Sequence, residues 1–372
     1  MSEPIISFKN FGFQYRAQKR PTLYDINLDI YPGERVLIAG PSGSGKSTIG
    51  NCLNGLIPFS YTGECTGSLT VDGVDAPKSS IFEMSRHVGT VLQDPDGQFI
   101  GLTVAEDIAF ALENDCVPQD EMHETVRKVA EMVGITERLE YAPHELSGGQ
   151  KQRVSLGGVM VDRVKILLFD EPLANLDPAT GKQAIELIDD IQKRTDTTVV
   201  IIEHRLEDVL WKNVDRIILV SEGRIAADLK PDDLLSTSLL TEHGIREPLY
   251  LTALKYAGVE ITPEKKPAHV DTVVLDESDK QKVRDWFTSA PPAPAKPERP
   301  ALLEVKDVTF GYNPETVTLH DISFQIREGE MLSIVGRNGA GKSTMSKLIC
   351  GFEPLTQGKV YFKGKDVTND TI

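Results

Sequence analysis

With 372 residues, 40% of them hydrophobic, the chain has room for about two domains with ordinary cores. A net charge of −16 argues against nucleic acid or anionic lipid as the main partner, because both reward surfaces rich in lysine and arginine; no nucleic-acid partner is expected. No apolar run approaches the ~20 residues of a membrane-spanning helix, and the N-terminus lacks the basic and apolar regions of a signal peptide. Cys52, Cys65, Cys116 and Cys350 form no C-x-x-C pair, the pattern of free thiols in a cytosolic protein rather than of a disulfide framework or a zinc site.

The chain opens on strand patterns. Ile6–Phe13 alternates roughly and Ile26–Ile30 cleanly between apolar and polar residues. Tyr31-Pro-Gly-Glu34 reads as a turn, and Arg35–Ala39 as the strand that feeds Gly40-Pro-Ser-Gly-Ser-Gly-Lys-Ser-Thr48. That stretch has the form G-x-x-x-x-G-K-S, with a helix expected after it. A glycine-rich turn before a helix aims several backbone N–H groups at one point, and the helix dipole adds positive potential there, so the site suits phosphate. Gly40, Ser42, Gly43, Gly45, Lys46, Ser47 and Thr48 are its candidate nucleotide-binding residues. Lys46 would reach the β- and γ-phosphates, and the Ser47 hydroxyl would ligate Mg2+. Tyr15 could stack on adenine.

Gly67–Gly73 reads as a further strand, and Thr90–Gln93 ends another. Gln93, at that strand end, can contact Mg2+ or an attacking water. Thr103 and Glu106 fit a capping box ahead of a helix in which Ile108, Ala111 and Leu112 share a face. Gln119–Val133 carries Met122, Val126, Val129 and Val133 at helical spacing, and Gly134 stops it. Leu146–Arg153 opens a helix at Ser147. With Gly148, Gly149 and Gln150 it makes a second helix end ready for phosphate. Two anion sites in one domain make sense if the second serves a nucleotide held by another domain. Ile166–Glu171 is an apolar strand ending in two acids. Asp170 would hold Mg2+ directly or through water, and Glu171 would position or deprotonate the attacking water. Thr197–Glu203 is the next strand; His204 after it could hydrogen-bond the γ-phosphate and that water. Arg216–Val220 reads as the last strand of this part.

Residues 229–300 change character, with short helices expected at Asp232–Leu240, Arg246–Tyr256 and Lys280–Phe287. Pro291–Pro300 holds five prolines in ten residues, a semi-extended tether between domains. From Leu302 the sequence starts again. Leu303–Tyr312 parallels Ile6–Tyr15, and Leu319–Glu330 parallels Leu23–Glu34. Gly336-Arg-Asn-Gly-Ala-Gly-Lys-Ser-Thr344 repeats the phosphate loop, with Tyr312, Gly336, Gly339, Gly341, Lys342, Ser343 and Thr344 as its candidate nucleotide-binding residues. This copy stops opposite Ile81, before any counterpart of Asp170 and Glu171. The expected division is a nucleotide-binding domain at 1–228, a connecting segment with its linker at 229–300, and the N-terminal part of a second such domain at 301–372. A partial domain of this kind would expose apolar strands, so the expectation is a truncated product.

Gly40–Thr48, Gln93, Leu146–Gln150, Ile166–Glu171, Asn175–Asp177 and His204 resemble, in order and spacing, the motifs of the ABC ATPase nucleotide-binding domain. They look like Walker A, Q-loop, signature, Walker B with its catalytic glutamate, D-loop and H-loop, and Tyr15 resembles the A-loop aromatic. The resemblance covers residues 4–228 fully and 302–372 in part. Asn175 departs from it where alanine is usual, which bears on cross-talk between sites. The resemblance implies an α/β fold of the P-loop NTPase, ABC ATPase type: a mixed sheet core, an antiparallel β subdomain and a helical subdomain, in tandem with an incomplete second copy. It implies ATP and Mg2+ as cofactors, catalytic roles for Glu171, His204 and Gln93, and metal contacts from Ser47, Gln93 and Asp170. Each ATP would lie between one domain's Walker A and the signature of a second ABC ATPase domain, supplied in trans or by a missing C-terminal part.

Leu53–Pro58, Val91–Phe99, Thr103–Phe110 and Glu242–Tyr250 carry a narrower resemblance, to the fused dual ATPases of energy-coupling factor (ECF) importers. It implies integral membrane partners, a coupling subunit and a substrate-binding subunit, and a peripheral place on the cytoplasmic face of the cell membrane. The cargo implied is a vitamin or its precursor, thiamine- or hydroxymethylpyrimidine-like, or a metal ion. The alternative is a soluble two-domain ABC ATPase acting on ribosomes, which usually carries a charged helical segment where this chain has Pro291–Pro300. A DNA-repair ABC ATPase would insert a coiled coil after Walker A, and no heptad run is present.

Overall fold

The computed structural model describes residues 3–94, 97–174, 176–291, 299–313 and 316–368. Asn175, most of the Pro291–Pro300 tether and Ile372 therefore lie outside the described residues. The chain forms two compact units, Met1–Ala290 and Pro291–Ile372.

In the first unit β1 (Ile6–Tyr15) pairs antiparallel with β2 (Leu23–Ile30). The chain then enters a second sheet through β3 (Arg35–Ala39) and returns to the first with β4 (Gly63–Val71) and β5 (Val74–Asp75), giving the order β2-β1-β4-β5. The second sheet gains β6 (Val88–Val91), β7 (Ile166–Asp170), β8 (Thr198–Ile202), β9 (Arg216–Ser221) and β10 (Arg224–Leu229). Its order is β10-β9-β3-β8-β7-β6, with every pair parallel except β9 with β10.

The unbroken apolar runs of β3, β7, β8 and β9 follow from burial on both faces. Their side chains alternate between two cores. Val36, Ile38, Ile166, Leu168, Val200 and Ile202 pack with Phe8, Phe11 and Ile49 on the side of the antiparallel sheet. Leu37, Ala39, Leu167, Phe169, Val199 and Ile201 pack against the helical layer. That layer holds the helices Val104–Asn114, Gln119–Val133, Gly148–Met160 and Pro178–Thr195. Thr103 caps the first of them as the spacing predicts: Glu106 N–H donates to Thr103 Oγ1 and Thr103 N–H to Glu106 Oε2, both at 3.2 Å. Gly134 ends the second in the left-handed region, at φ 70°.

Three expectations shift. Arg216–Ser221 is not the last strand; β10 follows it through the turn at Glu222-Gly223. β10 is an edge strand with no fully buried residue: Ile225, Ala227 and Leu229 are half-buried and the residues between them exposed, an alternation that Ala226 blurs in the sequence. Residues 229–290 are more than a connecting segment. They form the helices Pro231–Leu235, Leu239–Glu242, Leu249–Tyr256 and Glu277–Ser289. Leu234, Leu235, Leu240, Leu251 and Ile261 bury themselves in the helix-side core, so the first unit runs to Ala290 and a boundary at 228 would cut β10. Gln93 does not end its strand but stands two residues beyond β6.

In the second unit β11 (Ala301–Phe310), β12 (Leu319–Arg327), β13 (Gln357–Phe362) and β14 (Lys365–Asp366) form an antiparallel sheet in the order β12-β11-β13-β14, the counterpart of β2-β1-β4-β5. The repeat reaches the backbone: Asn10 and Asp307, and Asp25 and Asp321, all take positive φ between 45° and 51°. Met331–Val335, the counterpart of β3, forms no strand, and Met331 and Val335 are 96% and 84% exposed. A central parallel strand is held by a neighbour on each side. Among the described residues of this unit, no strand pairs with it.

Candidate functional site

Strand order decides which residues meet. The C-terminal ends of β3, β8, β7 and β6 lie side by side, with Ile38 opposite Ile202, Asp170 opposite Ile202 and Val91 opposite Phe169. The residues that follow those strands therefore gather on one edge: Gly40–Thr48 after β3, Glu203 and His204 after β8, Asp170 and Glu171 at β7, and Gln93 after β6. In open α/β sheets this edge is where ligands bind.

The loop at Gly40 wraps the start of the helix Lys46–Leu53. Gly43 and Gly45 take φ of 77° and 107°, which a side chain would oppose. A Cβ at Gly40 would lie 2.1 Å from the Val220 carbonyl oxygen, so no side chain fits there. Lys46 is buried, and its ammonium donates to the carbonyl oxygens of Gly40 and Pro41, both at 2.8 Å. Burial lowers its pKa, against the upward pull of Glu171, Asp170 and Glu203. Lys342 repeats the geometry, donating to Gly336 and Arg337 at 2.9 and 2.8 Å. Gly339 and Gly341 take positive φ, as Gly43 and Gly45 do. Ser47 and Ser343 follow the two lysines at the exposed surface of their helices, and Thr48 and Thr344 are buried.

Asp170 carries the clearest electrostatic signature. Burial first, and then the charge of Glu171, push its carboxyl up to about 6, although Lys46 pulls the other way. Its Oδ1 is buried with no hydrogen-bond partner among the described residues. A hard divalent cation would satisfy that oxygen. Glu171 sits at φ 50°, and its Oε2 accepts a hydrogen bond from Gln93 Nε2 at 2.8 Å. Gln98 staples the loop that carries Gln93, accepting from Leu92 N–H at 3.0 Å and donating to the Thr90 carbonyl at 3.1 Å.

His204 lies beside a residue that sequence reasoning passed over. Glu203 is fully buried, and its Oε1 stands 3.1 Å from His204 Nδ1. Its signal in the sequence is a charged residue closing an otherwise apolar strand. Tyr15 and Tyr312 hold matching places: their hydroxyls meet Thr48 Oγ1 at 3.0 Å and Thr344 Oγ1 at 3.4 Å.

Ser147 caps the helix Gly148–Met160. Its N–H donates to Gln150 Oε1 at 2.9 Å, and Gln150 N–H donates to its Oγ at 3.4 Å. A Cβ at Gly149 would stand 2.7 Å from Thr180 Cγ2, so this helix start packs closely on the helix Pro178–Thr195. Among the described residues no hydrogen bond joins Ser147–Gln150 to Gly40–Thr48. In the first unit these two helix ends are separate places.

A family model described as "ABC transporter" matches residues 23–174 and 319–372, more than half of the chain. The chain belongs to this family. The first unit has its ABC ATPase fold, with a mixed sheet core, an antiparallel sheet and a helical layer. A second model, described as "ATP-binding cassette cobalt transporter", matches residues 237–310. A protein of Clostridium perfringens named as an ABC transporter ATP-binding protein is 56% identical over 99% of this chain and 65% of its own length. One of Enterococcus faecalis, so named as well, is 54% identical over 100% of this chain and 65% of its own. The chain thus spans about 65% of the length of these curated relatives. Among solved structures, cbiO1 of Clostridium perfringens, part of the ABC transporter complex cbiONQ, is similar with a TM-score of 0.59 and 28% identity. That match covers 68% of this chain and 100% of cbiO1. The ATP-binding cassette MJ0796, in a dimeric post-hydrolysis state bound to ADP and Pi, has a TM-score of 0.52 and 26% identity, covering 60% of this chain and 98% of its own.

Proposed function

We propose that the chain is an ATP-binding, ATP-hydrolysing subunit that energises an ECF-type membrane importer. The observation that carries the ATPase reading is the buried Oδ1 of Asp170, without a hydrogen-bond partner among the described residues and set beside Glu171 at the strand edge that also carries Lys46. Lys46 and the N–H groups of Gly40–Thr48 bind the β- and γ-phosphates, and Tyr15 backs the adenine. Ser47, Gln93 and Asp170 are the residues that would hold Mg2+, which neutralises phosphate charge when bound. Glu171 orients the attacking water and takes its proton, while His204 donates to the γ-phosphate. Ser147–Gln150 serve a nucleotide held by a second ABC ATPase domain, and Lys342 with Ser343 bind nucleotide in the second unit.

The partners are integral membrane subunits, one for coupling and one for substrate binding, and the place of action is the cytoplasmic face of the membrane. Ile100 and Leu102 support this: they are 64% and 81% exposed within ten residues of Gln93, an apolar surface suited to a partner. Among the described residues no helix is long and apolar enough to cross a membrane, so the spans would come from those partners. Of the cargoes considered, a metal ion is favoured over a vitamin. The support is the description of the family model over residues 237–310 and the likeness to cbiO1.

The test is Glu171→Gln. It should bind ATP normally and hydrolyse it about tenfold or more slowly, the scale of a lost general base. Unchanged turnover would remove the assigned role. Recovery of ribosomes instead of membrane proteins with the tagged chain would overturn the importer.

A further inference from the structure

The segment that leads out of β7 is held by the turn that carries His204. Leu173 is fully buried, and both of its backbone polar groups are taken by side chains from that turn. Its N–H donates to Glu203 Oε2 at 3.2 Å, and its carbonyl accepts from Arg205 at 2.8 Å. Glu203 and Arg205 are the two residues that flank His204. Glu203 Oε1 also accepts the N–H groups of His204 and Arg205, at 2.7 and 3.1 Å, and faces His204 Nδ1 at 3.1 Å. Arg205 reaches the Leu176 carbonyl as well, at 3.3 Å, and is itself anchored on Asp208 at 2.7 Å. The Glu171 N–H completes the ladder by donating to the Ile202 carbonyl at 2.8 Å.

We propose that Glu203 and Arg205 are positioning residues for ATP hydrolysis: through Leu173 they fix Glu171 and His204 as one rigid piece. This rests on the roles proposed above for Glu171 and His204. The chemistry of the clamp is specific. A buried carboxylate is costly unless its lone pairs are satisfied, and here three backbone N–H groups donate to it, with His204 Nδ1 close by at 3.1 Å. With His204 Nδ1 on the side of Glu203, Nε2 is the ring nitrogen left to face a phosphate, and the nearby carboxylate favours the proton on Nδ1. Arg205 holds the other side of the same peptide, so neither the β7 segment nor the histidine turn shifts without the other. Neither residue touches nucleotide in this arrangement; both act through Leu173 and His204.

Glu203→Gln keeps the size of the side chain but replaces one acceptor oxygen by a donor. In the full chain with MgATP it should leave the KM for ATP within about threefold and lower kcat by about a hundredfold, the cost of a misplaced reacting group. A mutant cycle separates positioning from general damage. In a background that carries both Glu171→Gln and His204→Ala, Glu203→Gln should cost less than about threefold in kcat, because both groups it positions are already gone. Full additivity of Glu203→Gln with that background would overturn the proposal, as would a wild-type kcat in Glu203→Gln. Arg205→Lys, which keeps the charge and loses the fork, should behave alike and serves if Glu203→Gln does not fold. Glu171→Gln is the reference. If it slows hydrolysis while Glu203→Gln and Arg205→Lys do not, the clamp fails and the site stands. If Glu171→Gln leaves hydrolysis unchanged, both fall.

Discussion

The side-chain amide of Gln93 donates to Glu171 Oε2 at 2.8 Å, joining the loops that follow two adjacent parallel strands. Glu171 itself sits at a positive φ of 50°, a conformation that costs a non-glycine residue about 1 kcal/mol or more. The contact fixes where the Glu171 carboxylate lies at the strand edge. Removing it should therefore affect chemistry more than binding. Gln93→Ala is expected to keep the KM for ATP within about threefold and to lower kcat about tenfold. Steady-state kinetics over a range of MgATP concentrations gives both numbers. A raised KM with unchanged kcat would show that Gln93 contributes only to binding.

Asp170 gives a pH prediction whose sign is fixed by its raised pKa. Burial and Glu171 hold its carboxyl near 6, above the range of about 4 that it has in an unfolded chain. Between those two values the folded state keeps a proton that the unfolded state has lost. Stability therefore falls as pH rises through this window and stays lower above it. Asp170→Asn removes the buried charge. Without nucleotide or Mg2+ it should melt roughly 2–5 °C higher than the parent protein at pH 7.5, and the gain should fade toward pH 4. The same variant should lose the stabilisation that MgATP gives the parent. Thermal melts at several pH values, with and without MgATP, check both halves. A variant less stable at neutral pH would contradict the assigned strain.

Arg35 opens the strand that feeds the phosphate loop, and it is almost fully buried. Its guanidinium pairs with Asp189 at 2.8 Å and donates to Gln192 and to the Asn213 carbonyl, at 2.5 and 2.8 Å. Burial alone would raise the Asp189 carboxyl, but hydrogen bonds from Lys193 and Arg35 hold it below the usual range. A depressed pKa contributes stability that is present above the unfolded value and lost as pH falls through the folded one. Arg35→Met leaves the buried carboxylate with Lys193 as its remaining cation and should cost about 2–3 kcal/mol in urea unfolding at pH 7. The loss should shrink below about pH 4, where Asp189 can take a proton. A pH-independent loss would mean that Arg35 acts through packing alone.

Much of this was legible in the sequence because it rests on local physics. The loop at Lys46, the capping box at Thr103, the stop at Gly134 and the buried strand ending at Asp170 are patterns of neighbours along the chain. What escaped was contact between distant side chains and backbone. No periodicity announces that Glu203 will take the Leu173 N–H, or that Gln93 will reach Glu171 across 78 positions. The helices after residue 229 were expected, but their burial in the first unit's core escaped for a related reason. Leu234, Leu235, Leu240 and Leu251 are sparse along a polar stretch, and only their packing into the helix-side core of the first unit buries them.

The two copies of the loop offer a comparison within one molecule. Arg35–Ala39 is paired on both sides, by β8 and β9, and every one of its residues is buried. Its counterpart Met331–Val335 has no paired strand among the described residues and leaves Met331 and Val335 open to water. Apolar sequence alone does not protect an amide; a partner strand does. In native-state hydrogen exchange the amides of Leu37 and Ile38 should exchange about a thousandfold or more slowly than those of Leu332 and Ile334. The loops downstream share their lysine geometry, so the contrast isolates the sheet. Strong protection at Leu332 and Ile334 in the isolated chain would mean that this segment finds a strand partner, such as a second copy.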